Sequence, residues 1–144
     1  MPVIQSLITI VLFFVVLGLL VLIHELGHFL TARAANVRVL EFGIGFPPRA
    51  KVLRSKGETV YTLNWLPIGG FVKLEGEDGS DDADPHSFAN AKLWVKVGIL
   101  LAGVTMNLLL AFAIPLALLL FASLVSDGRF TLAGYAKFLS DPFS

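Results

Sequence analysis

His24-Glu25-Leu26-Gly27-His28 ends a run that carries no charge at all from Met1 to Ile23. Two histidines at i and i+4 share one face of a helix and can hold one zinc ion. The glutamate between them is then free to act as a base. Nothing about a bilayer favours these residues at that place. An ionisable group at the bilayer centre costs roughly 2.5–3.5 kcal/mol on insertion scales, so its presence points to use.

The apolar run around this motif extends from about Ile4 to Ala32, long enough to cross a hydrocarbon core of about 30 Å as a helix. It is too long for a signal peptide, lacks a basic start and runs into the motif rather than a small-residue cleavage site. A second apolar segment covers Leu93 to Val125, with no charge between Lys96 and Asp127. The polar stretch between them, 33–92, together with Lys96 at the start of the second segment, holds nine of the eleven basic residues. That excess predicts a cytoplasmic middle region with both chain ends on the far side. Trp94, beside Lys92 and Lys96, suits an interfacial anchor or an ordinary packed position.

Composition narrows the chemistry further. The 144 residues suit about one domain, and 56% of them are hydrophobic. A mean hydropathy of +0.79 is too high for an ordinary soluble domain. Eleven basic and eleven acidic residues cancel, so no nucleic-acid partner is expected. Cysteine is absent, so any metal must be held by His, Asp or Glu.

The middle region contains four short runs rich in β-branched and aromatic residues: Val37–Phe42, Ala50–Arg54, Thr59–Trp65 and Phe71–Leu74. Ser55-Lys56-Gly57-Glu58 reads as a turn between the inner two. Gly43-Ile44-Gly45-Phe46-Pro47-Pro48 and Pro67-Ile68-Gly69-Gly70 punctuate the rest. The fold class expected is therefore an α-helical membrane protein: two transmembrane helices (4–32 and 93–125) with a small antiparallel sheet of three or four strands between them. The acidic stretch Glu75–Asp84 reads as a solvated loop. The tail from Arg129 reads as a surface segment or as the entry to a further domain.

His24 and His28 are the expected zinc ligands, each through one imidazole nitrogen at about 2.0–2.1 Å. Zinc lowers the pKa of a bound water to about 7, and Glu25 would take its proton and pass it to a leaving amine. By helix rise, Glu25 lies roughly 12 Å from the boundary set by Arg33, and Asn107 roughly 16 Å from that set by Lys96. The two fall in nearly the same layer, towards the cytoplasmic side. Asn107 could donate to the scissile carbonyl or oxyanion. It could equally join the two helices. Gly103 and Gly27 are expected to let the helices approach closely.

These motifs together resemble the site-2 protease family of intramembrane zinc metalloproteases, in its bacterial branch that performs regulated intramembrane proteolysis. The resemblance rests on HELGH, on Phe42-Gly43-Ile44-Gly45-Phe46-Pro47, on Pro67-Ile68-Gly69-Gly70-Phe71-Val72-Lys73-Leu74, and on Gly103 with Asn107. It covers about residues 15–112. It implies zinc as cofactor, cleavage of a transmembrane protein substrate already trimmed by another protease, and residence in a bacterial inner membrane. It also implies a β region that folds back to the bilayer and offers an edge strand. On that basis Gly43, Ile44, Gly45, Phe46, Gly69, Gly70, Phe71 and Val72 are the candidate substrate contacts. An unwound substrate has freed backbone groups that strand addition would satisfy.

Departures from the family pattern are as specific. The family carries a third ligand, an aspartate before a glycine, on a later span. Asp127-Gly128 has those letters but falls some 46 Å from Lys96 by helix rise, on the wrong side. Asp141 fails likewise, and Glu41 and His86 lack supporting context. Position 104 is Val where the family usually has Pro. The chain is therefore expected to be the N-terminal half of a longer protease, inactive alone or active with a complementing C-terminal half. The rival reading is a non-catalytic membrane binding protein whose β region captures a partner strand. A metal transporter or sensor would need more ligands than two histidines and a glutamate.

Overall fold

Pro2–Ala34 form a single helix, α1, and Leu93–Leu124 form a second, α2. Both are apolar on every side rather than striped, the pattern of helices not built to float on a soluble core. Each is long and apolar enough to cross a membrane. The computed structural model describes residues 2–55, 57–79, 84–126 and 129–130. The chain divides into two units, 1–107 and 108–144. Asp127-Gly128 and Asp141 lie outside the described residues, as does most of the tail.

The end of α1 is fixed by a Schellman motif. Asn36 adopts φ +60°, Val37 N donates to Ala32 O (2.9 Å) and Asn36 N to Arg33 O (3.1 Å). Asparagine tolerates this left-handed conformation better than other residues with a Cβ. The chain turns there into β1 (Val39–Ser55), which pairs antiparallel with β2 (Val60–Leu74).

Two long strands replace the three or four expected, although all four runs are present. Each strand bends and is paired twice. Phe42 sits opposite Val72 and also opposite Tyr61, and Thr62 sits opposite both Gly43 and Val52. In the Glu41–Val60 to Ile44–Leu63 row both numbers rise together, so that inner row runs parallel. The glycines and prolines mark the bends instead of ending the strands. Gly45 (φ +81°) and Gly69 (φ +71°) reach backbone conformations that side chains resist. Asn64, buried in β2, donates from Nδ2 to Gly45 O (3.0 Å) and pins the first bend.

The core is small and lies where α1 ends: Phe29, Ala32, Val37, Val39, Leu74 and Ile99. The Phe29 ring meets Phe42 edge-on at 5.0 Å and Tyr61 at 6.1 Å. The residue after His28 thus anchors the sheet. Farther back along α1, Gly18 lies under the Ile68–Gly69 backbone and Val21 against Gly69. The bent end of the sheet therefore reaches about 22 Å along α1 from Arg33.

Arg38 ties the other end together. Its guanidinium pairs with Glu75 (2.6 Å), Asp84 and Glu58 (3.3 Å). The acidic stretch is thus not simply solvated as expected, because both of its ends clasp one arginine. The Asp84 carboxylate, itself 26% exposed, is held below the ordinary range by the His86 backbone N–H and then by Arg38. The Arg38 guanidinium is pushed up, chiefly by its hydrogen bond with Asp84. In the second unit α2 continues through Pro115, and Val125–Ser126 pairs with Arg129–Phe130.

Candidate metal centre

α1 delivers His24 and His28 one turn apart, with ring centroids 4.8 Å apart and planes at 75°. Donor atoms of His24, Glu25 and His28 all lie within 4.8 Å of one another. His28 donates from Nδ1 to the Ile99 carbonyl at 2.6 Å. That bond fixes the ring and leaves Nε2 with its lone pair, the arrangement found around metal-bound imidazoles.

Gly103 of α2 explains why both rings fit between the helices. A Cβ there would fall 2.6 Å from His28 Nε2 and in collision with His24 Nε2. Both Nε2 atoms therefore converge on the space a side chain would fill. On α1, one residue before His28, a Cβ at Gly27 would meet the Ala102 backbone (2.8 Å to its carbonyl carbon), so the helices cross in backbone contact. Close packing was expected of both glycines. It describes Gly27, whereas Gly103 borders the imidazoles themselves.

Asn107, four residues after Gly103 and on the same face of α2, brings its amide nitrogen 3.4 Å from His24 Nδ1. Its Oδ1 is buried with no hydrogen-bond partner. Turning the amide over gives that oxygen the His24 Nδ1–H to accept from, and leaves Nε2 of His24 free as well. The residues present thus fit a zinc ion: two Nε2 atoms aimed at one space, each ring orientable through its other nitrogen. Among the described residues this is the one cluster of three or more metal-binding side chains. Glu41 instead pairs with Arg49 and accepts from the Thr62 hydroxyl (2.7 Å). His86 Nδ1 bonds Asn36 O (3.0 Å), away from the rings. Neither supplies a third ligand.

A cavity of about 420 Å³ opens beside the cluster, with Glu25 and His28 on one wall and Val72 and Leu74 of β2 on another. Phe88, Ile99 and Leu100 make the rest apolar, and Glu77 sits at its edge. A polar cavity of about 320 Å³ beside Arg33 and Arg38 shares none of these residues. Of the eight candidate substrate contacts, Val72 alone lines the cavity beside Glu25. Gly69 and Gly70 lie on α1 against Val21 and Leu22, and Gly43 lies under the Phe71 ring. Gly45 abuts the Leu66 carbonyl, while Ile44 and Phe46 are exposed. Gly103, Leu74, Glu77 and the Ile99 carbonyl were not legible as site groups, although the four-residue spacing of Gly103 and Asn107 carried the signal for the first.

Residues 12–140 match Peptidase family M50. A Clostridium acetobutylicum protein with a provisional zinc-metalloprotease name is 43% identical over 107 residues, 74% of this chain and 31% of its own length. Zinc metalloprotease RasP of Geobacillus kaustophilus is 49% identical over 75 residues, covering 52% of this chain and 18% of that protein. Regulator of sigma-W protease RasP of Bacillus subtilis is 49% identical over 70 residues, 49% of this chain and 16% of its own. The chain spans under a third of the length of each of these relatives. With nine-tenths of its residues inside the match, and with the motifs of the site-2 proteases in order, the chain belongs to Peptidase family M50.

Proposed function

We propose that this chain is part of an intramembrane zinc endopeptidase that cuts peptide bonds within or near transmembrane segments of membrane-anchored proteins. The convergence of two imidazole Nε2 atoms on the space above Gly103, with Glu25 on the wall of the adjoining cavity, carries this reading. His24 and His28 hold the zinc, and a third ligand comes from a segment outside the described residues. Bound zinc supplies Lewis-acid polarisation of water and of the scissile carbonyl.

The chain's own groups do the rest. Glu25 accepts the proton of the attacking water on its carboxylate and returns it to the leaving amine. Ile99 O and Asn107 hold the two rings in orientation. Gly103 keeps the space open. Val72 presents the sheet edge to an unwound peptide, and the apolar walls restrict water to the reacting end of the cavity.

The setting follows from the same residues. α1 and α2 cross the bacterial inner membrane, with the basic middle region in the cytoplasm and both flanks outside. The bent end of the sheet dips along α1 into the bilayer, where exposed Phe46, Trp65 and Leu66 meet lipid. Trp94, 81% exposed, anchors α2 at the interface. The test is Glu25→Gln in the full-length protein, read by cleavage of a membrane-anchored substrate. Loss of about 100-fold or more in rate is expected for removal of the base; unchanged cleavage defeats the proposal.

A further inference from the structure

Leu74, the last residue of β2, turns its N–H away from β1. The next amide, Glu75 N, donates to Arg38 O on the β1 side at 3.1 Å. Consecutive groups on a strand point in opposite directions, so Leu74 N–H faces the outer edge, and Val72 N–H faces the same way. That edge borders the cavity that holds Glu25 and His28. Leu74 N–H is not left open there: it donates to Glu77 Oε2 at 3.2 Å.

We propose that Leu74 N–H receives a backbone carbonyl of the bound peptide, and that the Glu77 carboxylate stands in for that carbonyl until the peptide arrives. The inference rests on the peptidase reading above and adds a competition at its edge. A carboxylate oxygen on a backbone N–H occupies the place a strand's carbonyl would take. Glu77 belongs to the turn that follows β2, and its residue is exposed, so its carboxylate can swing to water when displaced. Among the described residues it makes no ion pair that would hold it back. A protein whose binding edge is occupied binds its ligand more weakly by the fraction that is free.

The consequence is a split between binding and chemistry. Glu77→Ala in the full-length protein lowers KM for a membrane-anchored substrate by about threefold to tenfold, the worth of one hydrogen bond, and leaves kcat unchanged. Glu77→Gln, whose neutral oxygen accepts more weakly, falls between wild type and Glu77→Ala. A KM that stays the same or rises would mean that Glu77 only caps its turn, and the proposal is then wrong. A second measurement does not depend on turnover. In the Glu25→Gln, Glu77→Ala double variant, hydrogen exchange at the Leu74 amide slows when substrate is added. No slowing overturns the assignment. If Glu25→Gln by itself leaves cleavage intact, the peptidase reading fails instead, and the two failures remain separable.

Discussion

Both halves of α1 are rich in large apolar residues, yet they do different things. From Val3 to Leu17 every large apolar side chain is exposed, from 79% at Val3 to 37% at Leu17. From Val21 to Ala32 nearly every residue is half-buried or buried, against the sheet on one side and α2 on another. The inner half is the less hydropathic of the two, because His24, Glu25 and His28 lie in it. Two things distinguish the inner half: Gly27, where the Ala102 backbone comes close, and polar groups whose partners come from α2. In the proposed membrane setting the outer half meets lipid alone, so its side chains are interchangeable. The inner half is a set of specific contacts, so single atoms matter.

The largest effect should come at the crossing. Gly103→Val puts three carbons where both Nε2 atoms converge. Zinc content of the purified full-length protein should fall to background and cleavage with it, while a swap such as Leu12→Ile in the outer half leaves both unchanged. Zinc retained in Gly103→Val would remove the steric basis of the site.

Gly69→Ala should act through the sheet rather than the metal. Its Cβ would lie 2.7 Å from a Val21 methyl at a backbone φ of +71°, two penalties at one position. A loss of about 1–3 kcal/mol is expected, read by thermal unfolding, with zinc content preserved. Zinc lost at the same time would mean that the bent end of the sheet helps to form the metal site.

The smallest effect is at the Arg38 clasp. Asp84 has its folded pKa depressed, so its contribution is full above the ordinary carboxylate range and is lost as pH falls through the folded value. Limited proteolysis after Leu74 should therefore quicken below about pH 4, earlier than cleavage within the sheet. Equal protection at neutral and acid pH would contradict the clasp.

Much of this was legible in the sequence, for physical reasons. An uninterrupted apolar run dictates its own helix, so the expected Ile4–Ala32 and Leu93–Val125 differ from α1 and α2 only at their ends. The β-branched runs located all four paired stretches. The merging of four runs into two strands was not legible, because Gly45 and Gly69 can bend a strand or end it, and only pairing decides which. HELGH was read through its i, i+4 spacing, and the depth estimate put Asn107 level with it. What Asn107 touches depends on how α2 is rotated, which no run of letters records. Glu75 and Asp84 read as solvated acids because their partner, Arg38, is 37 and 46 residues away.

Zinc-edge X-ray absorption on the metal-loaded full-length protein tests the central claim most directly. Two imidazole nitrogens at about 2.0–2.1 Å are predicted, with one imidazole lost in His24→Ala and one in His28→Ala. A spectrum without imidazole scattering, or one that neither substitution changes, would contradict it.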